Sequence, residues 1–426
     1  MRIVLVKLPA CQHAQGGNTI PATRRDLLLA LAALLAGAAR AADGVIKIGV
    51  LNDQTGIYAG FGGAGSVVAA RMAVEDMGGT ALGKPIDVVF GDHQNKADIG
   101  GAIVRRWFDV DHVDMIVDLS NSAVALAVEA VAKERKRIAI AGAVGTPDFT
   151  GKDCTPTEAS WLHDSYALST SLARAEVAKG LDTWFFITVD YSFGHSLEAD
   201  ARRAIEAAGG KVVGGVRHPL STADFSSYLV QARASGAKVV ALANAGGDMT
   251  TATKQASEFG LAAGGQTLVS FLVFITDLHS LGLQAAQGLT FVTGFDWNRD
   301  EASRQWSKRF FARHTTMPTA NHAAVYSATR HYLRAVAAAG TDAAPAVMEK
   351  MRELPVDDFF APGARLRIDG RLVHDLYLAQ AKKPEESTGP WDYVKIIGTI
   401  PGDLAFRSLA DGGCPLAQKE PAFGRQ

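Results

Sequence analysis

The sequence predicts an α/β fold of two doubly wound, Rossmann-like lobes. Three observations carry that expectation. From Ile46 onward, short apolar runs alternate with longer stretches of helical period, as in a parallel sheet with crossover helices. The alternation breaks in a loop rich in Gly, Pro, Thr and Asp between Gly142 and Glu158, then resumes on the same plan with a different sequence. Glycine makes up 43 of 426 residues, about a tenth against a usual ~7%, which suits many tight strand-to-helix turns.

The first series reads as strand Ile46 to Leu51, helix Gly63 to Met77, strand Ile86 to Phe90, helix Asp98 to Phe108, strand Met115 to Val117, helix Ser122 to Glu134 and strand Ile138 to Ile140. The second reads as strand Trp184 to Val189, helix Gly194 to Ala208, strand Val212 to Val216, helix Phe225 to Ala234, strand Val239 to Leu242, helix Gly247 to Phe259 and strand Thr267 to Val269. Two helical patterns follow, Glu301 to Arg313 and His322 to Ala338, then a short-strand region from Arg365 to Ile397.

Ahead of all this, Arg24 and Arg25 precede the apolar run Leu27 to Ala39, and Ala39-Arg40-Ala41 supplies small residues for cleavage. Residues 1–41 are therefore expected to be an export signal. Their twin-arginine order hints at the folded-protein route. The run is shorter than the ~20 residues that span a bilayer, and no later stretch approaches that length. Removing the leader takes five basic residues and one acid from a net charge of -1 and leaves -5. No basic excess remains to bind nucleic acid. Cys154 and Cys414 are left as candidates for one disulfide in an oxidising compartment or as two buried thiols.

A catalytic reading finds little support. Gly60, Gly62 and Gly65 match the GxGxxG dinucleotide pattern, but Asn52 to Ala59 separates them from the strand, where a true fingerprint turns at once. An exported nicotinamide-dependent oxidoreductase stays as a rival reading. His195 with Glu198, and His93 near Asp92 and Asp98, lack a second histidine at ligand spacing. Ser66 and Ser196 lack the GxSxG elbow. No enzyme, metal or cofactor is expected.

The loops after the strands offer binding chemistry instead, because ligands of open α/β sheets sit beyond the C-terminal strand ends, near helix N-termini. Ser120, Asn121 and Ser122 open a helix there and can bind a carboxylate without an arginine, although plain helix capping would also explain them. Val144, Gly145 and Thr146 could complete the same anion site. Tyr191 and Phe193, with Asn244, Gly246 and Asp248, occupy the equivalent loops of the second lobe, and Tyr58 and Phe61 add rings from the first.

At these loops the chain resembles the branched-chain amino-acid-binding (Leu/Ile/Val-binding, type I) family of periplasmic solute-binding proteins of ABC importers. The resemblance runs from about Ile46 to Pro415. It is closest to a subgroup associated with aromatic and other hydrophobic carboxylates, through WFFITVDYSFGHSLEAD (Trp184 to Asp200), ALANAGGDMTTATKQASEFGL (Ala241 to Leu261), FLVFITDLHSLGL (Phe271 to Leu283), GPWDYVKII (Gly389 to Ile397) and GCPL (Gly413 to Leu416). It implies the type I periplasmic binding fold: a monomeric bilobed clamp with a multi-strand hinge, closing on one small molecule and delivering it to a membrane permease. On that pattern the lobes are 42–160 plus 295–360, and 161–294 plus 361–426 with a C-terminal tail. Amino-acid binders of the family carry an acid after the last strand of the second lobe to hold the ligand's ammonium. Here the stretch reads Ser270-Phe271-Leu272-Val273-Phe274-Ile275. A hydrophobic or aromatic carboxylate, its body against Tyr58, Tyr191, Phe193, Phe271 and Phe274, is expected over a zwitterion, unless Asp190 or Asp248 substitutes for the acid.

Overall fold

The computed structural model describes residues 44–417; the expected leader and its arginine pair lie outside them. The first sheet is built from β1 (Ile46–Asn52), α1 (Gly63–Asp76), β2 (Thr80–Ala81), β3 (Lys84–Asp92), α2 (Ala97–Asp109), β4 (Met115–Asp118), α3 (Ser122–Arg135), β5 (Ile138–Ala141) and β6 (Glu158–Ser160). Its strand order is β2-β3-β1-β4-β5-β6, parallel except for β2. β4 and β5 are buried at every position. Strands covered by helices on both faces need continuous apolar runs, which is why these read so plainly in the sequence.

The second sheet comes from α4 (Ser165–Ala178), β7 (Thr183–Val189), α5 (Ser192–Ala207), β8 (Lys211–His218), α6 (Ser226–Ala234), β9 (Val239–Ala243), α7 (Gly246–Glu258) and β10 (Thr267–Ser270). It is wholly parallel, in the order β10-β9-β7-β8. Strand order reverses between β1 and β4 in one sheet and between β7 and β9 in the other, so each lobe has its topological switch point where loops can embrace a ligand.

The chain continues through α8 (Ile275–Leu281), α9 (Leu283–Ala286), β11 (Thr290–Thr293), α10 (Glu301–His314), α11 (Ala320–Ala339), α12 (Ala344–Glu353), β12 (Arg365–Leu366), β13 (Leu372–Val373), β14 (Leu376–Ala381), β15 (Val394–Ile400) and α13 (Gly402–Ala405). α10 and α11 return to the first sheet. Arg309 and Arg313 meet Asp76 and Glu75 at the end of α1 at 2.5 and 2.8 Å, and Tyr326 of α11 donates to Asp76 at 2.7 Å. β11, β14 and β15 form a small antiparallel sheet. The hairpin β12–β13 is bridged through Arg371 to Ser160 of β6. The hairpin therefore lies beside the first sheet.

The passages at 161–164, 294–300 and 374–375 meet in a hinge. The His374 imidazole Nε2 lies 3.1 and 2.9 Å from the Trp161 and Leu162 carbonyls. A Cβ on Gly294 would stand 2.5 Å from Leu162 Cδ1, so only glycine lets these segments pack so closely. Cys154, in the loop before β6, is joined to Cys414 by a disulfide with its Cα atoms 5.6 Å apart. No helix of the described residues is long and apolar enough to cross a membrane.

Several elements go beyond the sequence reading. α4 fills a stretch to which the sequence reading assigned no element, and its start is set by Asp164, whose carboxylate accepts the Ala167 N–H at 2.9 Å. β6 carries Glu158 at its start and has no apolar run to announce it. α8, β11 and α12 were also unmarked in the sequence.

Candidate functional site

The loops at the two switch points meet across the cleft. After β1, the Asp53 carboxylate accepts the Gly56 and Tyr58 N–H groups at 2.7 and 2.9 Å and shapes the loop that presents Ile57, Tyr58 and Phe61. From the other lobe come Tyr191, at the start of α5, and Gly246, at the start of α7. The Tyr58 and Tyr191 hydroxyls are hydrogen-bonded at 2.7 Å, and the Gly247 N–H donates to the Ile57 carbonyl at 3.0 Å. Gly246 has φ +57, and a Cβ there would fall 2.5 Å from the Ile57 oxygen. A Cβ on Gly145 would fall 2.2 Å from Phe193 Cδ2. Both glycines thus permit a close approach of the lobes, and the clamp is shut.

In the expected carboxylate site the polar groups divide by what their protons do. The Ser120 hydroxyl donates to Asp118 at 2.5 Å and is spent. The Asn121 side-chain oxygen caps α3, accepting from Ala123 N and Val124 N at 3.0 and 3.1 Å, while its amide donates to Asn95 at 3.2 Å. Ser122 Oγ accepts the Thr146 N–H at 3.1 Å, and Thr146 Oγ1 accepts the Asp148 N–H at 3.4 Å. Each of these two hydroxyls is an acceptor in the frame and keeps its own proton to give. Val144 packs its side chain into the core with Leu119 and Phe149, so only its backbone belongs to the loop.

Rings line much of the site. Tyr191 lies 6.0 Å from Phe193, Tyr58 lies 5.2 Å from Phe61, Phe61 stacks on Phe274 at 4.4 Å, and Phe274 lies 6.4 Å from His163. The circuit closes through the Ser165 N–H, which donates to the Gly145 carbonyl at 2.7 Å beside Phe193. His163 had no signal in the sequence: a single ring ahead of a helix breaks no period. Phe271 does not join the circuit; it stacks with Trp184 and Phe186 at 6.4 and 6.3 Å inside the second lobe. Asn244 also turns away, its amide 3.0 Å from His218 Nε2 at the end of β8.

The acids near the cleft are engaged. Asp248 is buried and accepts the Ser221 and Thr222 N–H groups at 3.1 and 2.8 Å, and burial pushes its carboxyl up to about 6. Asp190 pairs with His195 at 2.8 Å and with Arg217 at 3.6 Å. Asp277, two residues beyond the charge-free stretch, bends back to accept the Phe274 N–H at 2.8 Å, and burial pushes it up to about 7. None of the three offers an ionised, unpartnered carboxylate to a guest.

The described periplasmic binding protein family matches residues 45–389. The chain belongs to that family. Among solved structures, the binding protein is similar to a periplasmic binding protein from Burkholderia mallei, 45% identical, over 87% of this chain and 99% of that one with a TM-score of 0.86. It is similar also to a branched-chain amino acid ABC transporter periplasmic ligand-binding protein from Burkholderia xenovorans, 40% identical, over 87% and 100% of the two chains with a TM-score of 0.78. At 19% identity, over 85% and 99% of the chains and with a TM-score of 0.75, an ABC transporter solute-binding protein from R. palustris solved in complex with benzoate shares the fold of this binding protein. These neighbours share the two-lobed type I architecture seen here.

Proposed function

We propose that the protein is the extracytoplasmic solute receptor of an ABC importer. It closes its lobes on one small aromatic or hydrophobic carboxylate and presents the closed form, as a monomer, to a membrane permease. The observation that carries this reading is the state of the acids: Asp190, Asp248 and Asp277 are all spent on partners of the protein's own, so a buried ammonium would lose its water and gain no counter-charge. The guest's carboxylate goes to the free protons of Ser122, at the start of α3, and Thr146, in the loop after β5. Its body lies among Tyr58, Phe61, Tyr191, Phe193 and Phe274. A disulfide between Cys154 and Cys414 suits the oxidising periplasm to which the leader would send the chain. The family match supports a binding role over the nicotinamide-dependent reading of GFGGAG.

Calorimetric titration with benzoate, 3-phenylpropanoate and leucine tests the proposal. The aromatic acids should bind and leucine should bind at least about a hundredfold more weakly, the equivalent of roughly 3 kcal/mol. Leucine binding as tightly as the acids would overturn the preference and move attention to Asp277, the carboxyl next to Phe274.

A further inference from the structure

His163 is a polar group left unmatched in an otherwise apolar wall. Its ring is 2% exposed, and its Nε2 is buried with no hydrogen-bond partner. The backbone around it is held from several sides. The carbonyls of Trp161 and Leu162 meet His374, Asp164 caps α4 and pairs with Arg371 at 3.2 Å, and the Ser165 N–H donates to Gly145. The imidazole is thus fixed against Phe274 at 6.4 Å with one nitrogen unused. Other buried polar atoms of the described residues also lack a partner, Asn244 Oδ1 and Ser270 Oγ among them; His163 differs in standing beside Phe274 at the ligand cleft, where a guest can complete the bond.

The neighbourhood limits what that guest group can be. Burial, with the Arg371 guanidinium behind it, pushes the imidazole down to about 3, so the ring is neutral and has no charge to offer a carboxylate. Arg371 is itself fully buried, which makes the same spot hostile to an ammonium. A hydroxyl suits either imidazole tautomer, since it can donate to or accept from Nε2. The carboxylate end is already provided for by Ser122 and Thr146, whereas His163, in the hinge passage, stands against Phe274 of the second lobe.

Resting on the proposed function, we infer that His163 is a specificity residue of the cleft, whose Nε2 hydrogen-bonds a hydroxyl on the ring of the bound aromatic acid. The full chain is titrated by calorimetry with benzoate and with its 2-, 3- and 4-hydroxy derivatives, and the readout is the ratio of affinities between the best hydroxylated acid and benzoate. That ratio should be about tenfold or more in the wild type, the value of one good hydrogen bond, and should fall toward one in His163→Phe. His163→Gln, which keeps a donor and an acceptor, should restore part of it, and decides the matter if the phenylalanine variant does not fold. A ratio near one in the wild type, or a ratio unchanged in both variants, overturns the inference while leaving the aromatic-acid receptor standing. Failure of all four benzoates to bind overturns the inference, and failure of 3-phenylpropanoate as well overturns the receptor reading with it.

Discussion

Replacing Gly246 by alanine separates the energetics of closure from those of folding. Gly246 sits at φ +57, where an L residue costs roughly 1–2 kcal/mol. That cost is the same with the clamp open or shut, so it lowers the melting temperature and not the affinity. A second cost arises only on closure: the new methyl would lie 2.5 Å from the Ile57 oxygen and 3.0 Å from Tyr58 Cδ1. Relieving it means backing the two loops apart. The Gly247–Ile57 and Tyr58–Tyr191 hydrogen bonds then weaken, each worth about 0.5–1.5 kcal/mol. Closure should therefore be disfavoured by about 1–3 kcal/mol, and a ligand that binds the shut form should lose roughly five- to 150-fold in affinity. Gly236→Ala is the control, because that glycine has φ +65 with nothing within 4 Å of the added carbon. Calorimetry and solution scattering with saturating ligand read the outcome. Gly246→Ala should bind weakly and stay extended, while Gly236→Ala should melt lower and bind normally. Equal affinity losses in the two variants, or none in Gly246→Ala, would refute the reasoning.

Other expectations follow from the same contacts. Ser122→Ala should weaken carboxylate binding by about 1–3 kcal/mol, and Ser120→Ala by clearly less, because only Ser122 has a free proton; titration of the two side by side checks it. Burial pushes the Glu129 carboxyl, on α3 beside Glu158, up to about 7. A raised folded value means the stabilising contribution is present below the unfolded carboxyl range and is lost as pH climbs through 7, so the chain should melt lower at pH 8 than at pH 5 and Glu129→Gln should flatten that slope. Replacing both Cys154 and Cys414 by serine opens a closure spanning 260 positions and should cost up to about 5 kcal/mol in the chain-entropy picture, read by chemical denaturation without reductant.

Much of the architecture was legible because buried parallel strands announce themselves. Met115–Asp118 and Ile138–Ala141 have no exposed face, so their composition alone marks them. β6 carries Glu158 inside the sheet and gave no such mark, and α4 is buried round much of its surface, which erases the polar stripe that shows a helix in sequence. The candidate site was legible in its loops more than in its side chains. Position after a strand places a residue at the cleft; it does not say which way the side chain turns. Phe271 turned inward to Trp184 and Phe186, and Asn244 and Asp248 turned to the end of β8, because each found a partner there. His163 became visible only when the crossing segment was seen beside Phe274.

The interlaced passages at Trp161–Asp164, Gly294 and His374 bear on how such a receptor can be inherited and rebuilt. Neither half is a continuous stretch of gene, since the helices that finish one half are encoded after the strands of the other. A recombination event that exchanged only the guest-selecting half would need several simultaneous breakpoints, so new specificities should arise by point changes in loops more readily than by shuffling. For a biosensor builder the same interlacing favours grafting a fluorophore or a circularly permuted reporter at a loop tip over joining halves taken from different receptors.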